Sequence, residues 1–185
     1  MPNKIIIVGG LGGSGKSTFA ALLSDRLGIP YFCKDNLKEV MGDGYGCGSG
    51  EVFSKGSAVT LLLMLHIAER FLRASTPCIL ESNFKLCDIS KIEALLGKYD
   101  CSCLSFILGG DYLTLWQRYL TREQSGVRHW VHGKIKSYEE YCSYHHGGGQ
   151  DLVSLGTTIT VDTTNLEDVN YEKLITIAQS FLESN

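Results

Sequence analysis

The chain has 185 residues, with 17 basic and 20 acidic side chains and a formal net charge of −3 at pH 7. This length fits one ordinary domain, which we expect to span residues 1–185. The longest apolar run, around residues 59–65, is interrupted by Thr60 and closed by His66, so it is too short to span a membrane. The negative charge argues against nucleic acid as the main partner.

Two features of the sequence predict a cytoplasmic location. Residues 1–9 lack the charged, apolar and small-residue succession of a signal peptide, because their apolar part fits a strand. The seven cysteines are an odd number and contain no C-x-x-C motif. That pattern favours reduced thiols over disulfides or a zinc site.

The first predicted strand, residues 4–8, leads directly into the sequence GLGGSGKS at 10–17. This sequence matches the Walker A pattern G-x-x-x-x-G-K-[ST] at every fixed position. Its glycines let backbone N–H groups turn inward, and the next helix presents its positive end to a polyphosphate. Lys16 adds a charge near the β and γ phosphates, and the Ser17 hydroxyl can bind Mg²⁺. The predicted nucleotide contacts are Gly12, Gly13, Ser14, Gly15, Lys16, Ser17 and Thr18.

Beyond this loop, hydrophobic periodicity predicts a helix that ends near Gly28 and a short strand over 29–33. A polar segment at 34–41 then opens a short helix. Residues 42–56 contain six glycines and are predicted to form a loop. The next segment, 57–74, is apolar enough for a mostly buried helix.

From residue 78 onward, strands and helices are predicted to alternate. The strands cover 78–80, 101–108 and 157–161, the helices cover 88–97, 112–122 and 171–182, and residues 123–150 are irregular. This order predicts a three-layer α/β/α fold with a five-stranded parallel sheet. Ligands of such sheets bind beyond the carboxyl ends of the strands, where the phosphate loop and the polar residues after the 78–80 strand would meet.

One segment is basic in an otherwise acidic chain. Residues 111–136 hold five basic and two acidic side chains, a local charge of +3 that leaves −6 elsewhere. Arg118 and Arg122 are one helical turn apart, so both guanidinium groups can reach one polyphosphate. The alternative is a solvated basic face. Further along, His145 and His146 are adjacent, and without a third ligand nearby they indicate a solvated loop rather than a metal site.

Taken in order, these segments resemble the small P-loop kinases that include chloramphenicol phosphotransferase-like and polynucleotide kinase-like enzymes and carry an AAA-type ATP-binding domain. The matching segments are 10–17, Lys34-Asp35-x-x-Lys38, 81–84, Arg118-x-x-x-Arg122 and 161–164. The resemblance implies a P-loop NTPase fold, ATP and Mg²⁺ as cofactors, and a small lid over about 118–150.

The resemblance also implies that Asp35 accepts the proton of the acceptor hydroxyl. Phosphoryl transfer depends mainly on positioning and charge neutralisation, and a carboxylate at a strand end can orient the nucleophile. The alternative is that Asp35 caps a helix beginning at Asn36. Lys38 would hold a substrate anion, or else be a salt-bridged surface lysine.

Glu81 lies where related folds place an acidic residue that reaches Mg²⁺ through water. It would assist Ser17 in holding the metal, act as the base in place of Asp35, or pair with Lys16. Asn83 is a weaker candidate for substrate contact.

In the lid, the resemblance implies that Arg118 stacks on adenine and that Arg122 or Arg128 neutralises charge on the transferred phosphoryl group. Thr163 lies in a turn that borders the adenine in such kinases, although ordinary turn chemistry would select the same residues. Closure of a lid excludes water and protects ATP from hydrolysis.

These observations predict an ATP- and Mg²⁺-dependent phosphotransferase with an alcohol group of a small molecule as acceptor. One alternative is a kinase for the 5′-hydroxyl of a polynucleotide. Another is a non-kinase nucleotide-binding switch, although the chain has no Asp-x-x-Gly or Asn-Lys-x-Asp pattern of GTPase switches. No motif specifies the acceptor or the oligomeric state.

Overall fold

A computed structural model describes residues 3–46, 50–126, 128–146 and 155–184, without the side chains of 50–55. In these residues, the strands are β1 (Asn3–Gly10), β2 (Tyr31–Cys33), β3 (Cys78–Glu81), β4 (Cys101–Gly109) and β5 (Thr157–Asp162). The helices are α1 (Lys16–Leu27), α2 (Lys34–Tyr45), α3 (Gly50–Arg73), α4 (Leu86–Lys98), α5 (Tyr112–Gln124), α6 (Tyr138–Tyr144) and α7 (Tyr171–Glu183).

The five strands form one parallel sheet in the order β2-β3-β1-β4-β5. The central strand β1 is flanked on both sides, with Ile7 opposite Leu80 on β3 and Ser105 on β4. Its apolar run is fully buried because helices cover both faces of the sheet. The predicted five-stranded parallel sheet is therefore confirmed.

Alternate residues of β1 point into two separate cores. Ile5 and Ile7 face the layer formed by α3 and α4, while Ile6 and Val8 face the layer formed by α1 and α7. This alternation follows from the period of two in a strand. It produces the predicted α/β/α layers and aligns the carboxyl ends of β1, β2 and β3 at one edge.

A third, smaller cluster joins α5 and α6 to the segment after β1. It consists of Leu11, Leu115, Trp116, Tyr119 and Tyr141. The Trp116 and Tyr119 rings stack with centroids 5.4 Å apart, and Tyr141 is fully buried. Aromatic packing therefore holds α6 against the loop that follows β1.

The predicted loop at 42–56 is wrong over most of its length. Helix α2 continues to Tyr45 and α3 begins at Gly50, while residues 47–49 lie outside the described part of the chain. A glycine inside a helix costs only about 1 kcal/mol relative to alanine, which packing can offset. Gly42 is buried, and a Cβ there would lie 3.0 Å from the Val131 Cγ2, so the glycine permits close packing.

The predicted irregular region at 123–150 also contains a helix, α6. Ser137 caps it by accepting a hydrogen bond from the Glu140 amide at 3.2 Å. At seven residues, the helix is too short for periodicity to reveal. Among the described helices, none combines the length and apolar character of a membrane span.

Candidate active site

The loop between β1 and α1 has a conformation that its glycines make possible. Gly13 and Gly15 have φ angles of +81° and +84°, in the left-handed region that other residues rarely adopt. A Cβ on Gly13 would also lie 2.3 Å from the carbonyl oxygen of Leu115. Glycine at position 13 therefore allows the loop to pass directly against α5.

Within this loop, Lys16 is almost completely buried. Its Nζ donates a hydrogen bond to the Leu11 carbonyl at 2.7 Å, and the Ser14 hydroxyl donates to the same oxygen at 2.8 Å. Burial lowers the pKa of Lys16, and nearby Glu81 and Asp35 oppose that effect. Because burial disfavours the lone ammonium charge, an anion beside Lys16 would stabilise it.

Ser17 and Glu81 place two oxygen ligands side by side. Glu81 ends β3 and is only 4% exposed, and its Oε2 accepts a hydrogen bond from the Ser17 Oγ at 3.0 Å. A hydroxyl next to a carboxylate is the oxygen donor set that Mg²⁺ prefers. The residues therefore fit the metal. In this structure Glu81 bonds Ser17, whereas Lys16 bonds the Leu11 carbonyl.

A cavity of about 260 Å³ opens beyond the carboxyl ends of the strands. The predicted nucleotide and metal ligands that line it are Gly12, Gly13, Lys16, Ser17 and Glu81. The predicted base, substrate contacts and lid arginines that line it are Asp35, Lys38, Asn83, Arg122 and Arg128. The fold thus brings into one cavity residues that are more than a hundred positions apart in sequence.

Asp35 enters the cavity from the first turn of α2. The helix begins at Lys34, directly after β2, with Cys33 as the N-cap residue and no side-chain cap. The alternative in which Asp35 caps a helix beginning at Asn36 is therefore wrong. A carboxylate in the first turn is still favoured by the helix dipole. The exposed Asp35 side chain shares the cavity with Ser17.

The cavity wall around Lys38 is cationic. Lys38 is half-buried, and its pKa is lowered by burial and by the neighbouring charges of Lys34 and Arg128, while Asp35 acts in the opposite direction. Lys34 pairs with Asp88 at 3.6 Å. Within the described residues, Lys38 forms no such ion pair, so its charge is available to an anion in the cavity.

Arg122 and Arg128 approach the cavity across the face of one tyrosine. The Arg122 guanidinium carbon lies 5.8 Å from the Tyr119 ring centroid, and that of Arg128 lies 5.1 Å away. Arg128 is also ion-paired with Glu123. Arg122 lies close enough to Lys16 to lower its pKa, whereas the charge of Arg128 acts on Lys38.

Arg118, in contrast, binds the turn after β5. Its two terminal nitrogens donate to the carbonyl oxygens of Thr163 and Thr164 at 2.6 and 2.8 Å. The Thr163 hydroxyl donates a hydrogen bond to the Gly109 carbonyl at 2.8 Å. Arg118 and Thr163 thus lie together at the edge of the sheet, outside the cavity that Lys16 and Asp35 share. Ser14, Gly15 and Thr18 do not line that cavity either.

Two histidine–carboxylate contacts join the lid segment to α2. His129 Nε2 lies 2.9 Å from Asp43 Oδ1, and His132 Nε2 lies 2.7 Å from Glu39 Oε1. Residues 128–136 therefore lie across α2 and close one side of the cavity.

The other side is closed by α6, which sequence reasoning missed. The Tyr141 hydroxyl donates to the Gly12 carbonyl at 2.5 Å, and the Tyr112 hydroxyl donates to the His145 carbonyl at 3.0 Å. His145 is 4% exposed, so the solvated-loop prediction is wrong for this residue, whereas His146 is exposed. The spacing of Tyr138, Tyr141 and His145 after a serine cap was the available signal.

Comparisons with known proteins agree with this architecture. No protein-family model and no curated protein matches the sequence. Among solved structures, a candidate kinase from Chloroflexus aurantiacus J-10-fl superposes with a TM-score of 0.85 at 26% identity, covering 97% of this chain and 98% of that chain.

More distant structures share the fold at lower identity. Shikimate kinase from Bacteroides thetaiotaomicron has a TM-score of 0.60 at 18% identity, with 97% of this chain and 98% of that chain covered. A gluconokinase from Sinorhizobium meliloti 1021 has a TM-score of 0.54 at 15% identity, with 96% and 89% covered. The narrower resemblance to chloramphenicol phosphotransferase-like enzymes stays a prediction. The chain has the fold of the P-loop small-molecule kinases.

Proposed function

We propose that this protein is an ATP- and Mg²⁺-dependent kinase that transfers the γ-phosphoryl group to a hydroxyl of a small molecule. The observation that carries the proposal is the single cavity in which Lys16, the Ser17–Glu81 pair and Asp35 meet. Kinases as structural neighbours support it. We further propose that residues 1–185 act as one domain in the cytoplasm.

In the proposed reaction, Asp35 accepts the proton of the acceptor hydroxyl while the hydroxyl oxygen forms a bond to the γ phosphorus. The bond from that phosphorus to the bridging oxygen breaks, and ADP leaves. Lys16 and Arg122 neutralise the charge that develops during transfer. Ser17 and Glu81 would hold Mg²⁺, which supplies positive charge to the phosphates when bound. Residues 128–136 and α6 keep water away from the reacting groups.

The metal-site assignment predicts a change in Mg²⁺ dependence for Glu81→Gln. Glu81 is buried against Ser17, so loss of its charge should weaken metal binding about 10- to 100-fold. Titration of turnover with Mg²⁺ at saturating ATP measures the shift. ATP binding without Mg²⁺ serves as the internal control and should change little. An unaltered Mg²⁺ requirement would remove Glu81 from the metal site.

The charge of Lys38 in the cavity predicts an acceptor that carries an anionic group, such as a carboxylate or a phosphate. Lys38→Gln should raise the acceptor KM about tenfold and leave the KM for ATP unchanged, since Lys38 lies on the acceptor side of the cavity and forms no ion pair within the described residues. The exposed Lys91→Gln substitution on α4 is the matched control. Equal effects on both KM values would argue against a role in acceptor binding.

A small acceptor fits this site better than a polynucleotide end. The lid contacts at His129 and His132 enclose a cavity of about 260 Å³, near the lower limit of small-molecule sites. The net charge of −3 does not favour binding of a long polyanion.

The direct experiment is ADP release with Mg²⁺ across a panel of acceptors, beside Lys16→Ala and Asp35→Asn. The panel holds nucleosides, aminoglycoside and phenicol antibiotics, sugars, sugar acids, cyclic hydroxy acids and 5′-hydroxyl oligonucleotides. Acceptor-dependent release that both variants abolish would support the kinase and identify the substrate class. Acceptor-independent release that only Lys16→Ala abolishes would support a nucleotide switch instead.

A further inference from the structure

We propose that His145 is a phosphate-binding residue of the cavity and that it takes up a proton when a nucleotide polyphosphate binds. This inference rests on the proposed function, because it requires a nucleotide on the phosphate loop. It assigns a ligand role to the C-cap residue of α6, for which the sequence predicted only a solvated loop.

The first argument is the position of the imidazole ring. A Cβ built on Gly12 would lie 2.9 Å from His145 Nε2, so the ring nitrogen lies directly against the phosphate loop. The His145 side chain lines the same cavity as Lys16 and Ser17. Any polyphosphate that contacts Lys16 would therefore pass close to this ring.

The second argument concerns the packing and the hydrogen bonding of the ring. Tyr141 and Tyr144 pack on it with ring centroids 4.5 and 4.9 Å away, and the Tyr112 hydroxyl fixes the backbone at His145. Within the described residues, neither ring nitrogen has a hydrogen-bond partner. A buried imidazole at the wall of a cavity is thus ready to donate to a ligand.

The third argument is the charge around the ring. Lys16 approaches from the phosphate loop, and Lys85 approaches from the segment before α4, where it lies 4.3 Å from the Tyr144 ring centroid. The one carboxylate that α6 adds to the cavity wall, on Glu140, accepts a hydrogen bond from the Lys136 amide. Burial raises the pKa of Tyr112 and of Tyr141, so these two hydroxyls add no negative charge beside the ring.

These surroundings determine the direction of the proton change. Burial, Lys16 and Lys85 together lower the pKa of His145 to about 4, so the ring is neutral in the free protein at pH 6. A bound polyphosphate offsets the charges of Lys16 and Lys85 and adds negative charge beside the ring, which raises the pKa. Binding therefore takes up a proton, and nucleotide affinity increases as the pH falls below the pKa of the bound state.

The test compares wild type with His145→Gln, which keeps a hydrogen-bond donor but cannot be protonated. Isothermal titration with Mg²⁺ and β,γ-methylene ATP at pH 8 and pH 6, in two buffers of different ionisation enthalpy, yields affinity and proton uptake. His146→Gln, at the exposed neighbouring histidine, is the matched control. Both variants are needed as references, because the terminal phosphonate of the analogue also changes its protonation between pH 8 and pH 6.

From pH 8 to pH 6, wild type and His146→Gln should gain about three- to tenfold more affinity than His145→Gln, with more protons taken up at pH 6. Equal pH dependence and equal proton uptake in all three proteins would overturn the inference. A wild-type protein that binds no analogue would instead refute the proposed function itself. If His145→Gln does not fold, NMR titration of the His145 ring decides, since a pKa unchanged by the analogue would also overturn the inference.

Discussion

Asn in place of Asp35 is expected to lower kcat for acceptor phosphorylation by about 10²- to 10⁴-fold, the usual contribution of a general base. ATP affinity should stay within about twofold of wild type, because Asp35 lies on α2 rather than on the phosphate loop. The amide keeps the size of the side chain and loses the ability to accept a proton. Single-turnover transfer and equilibrium ATP binding, measured on the same protein, separate the two effects.

The matched control for this substitution is Asp25→Asn, at an exposed position on α1. It removes one carboxylate of the same kind without approaching the cavity, and it should retain wild-type kcat. Wild-type turnover in Asp35→Asn would remove Asp35 from the mechanism. Glu81, the carboxylate beside Ser17, would then be the base to test.

Loss of Lys16 is the second large effect. Lys16→Ala should abolish measurable ATP binding in the micromolar range and reduce kcat/KM about 10²- to 10³-fold or more, as expected when a preorganised charge is removed from a phosphate site. Because Lys16 is buried, solvent screens its contact with an anion less than at the protein surface. Fluorescent nucleotide binding and coupled ADP release measure the two quantities.

The exposed Lys173→Ala substitution on α7 controls for the loss of one lysine. Far-UV circular dichroism of Lys16→Ala should match wild type, because among the described residues the Lys16 side chain donates a hydrogen bond only to the Leu11 carbonyl of its own loop. Retained ATP affinity in a folded Lys16→Ala protein would contradict the assignment of the phosphate loop.

The pattern of β1, loop and α1 was predictable because each part leaves a local signal. Ile5 to Val8 are apolar on both faces, and the glycines at 13 and 15 adopt φ angles that few other residues tolerate. The meeting of Asp35 and Glu81 with this loop also followed from sequence, since parallel strands end at one edge.

Other parts of the site depend on contacts between distant segments. Gly42 is a residue type typical of loops, yet it lies in α2, where Val131 packs against it. His145 reads as solvated, yet the aromatic cluster around Tyr141 buries it against the phosphate loop. Neither contact leaves a periodic pattern, because each joins segments that are far apart in the sequence. In both cases tertiary packing overrides local propensity.

The central claim is that the γ-phosphoryl group of ATP moves to an organic hydroxyl. The most direct measurement follows ³²P from γ-labelled ATP, with Mg²⁺ and the acceptor panel, over a single turnover. We predict that label enters an acid-stable phosphate ester and that Asp35→Asn prevents this transfer. The contrary result is label found only in inorganic phosphate, released at the same rate whether or not an acceptor is present. That result would contradict the assignment of the protein as a kinase.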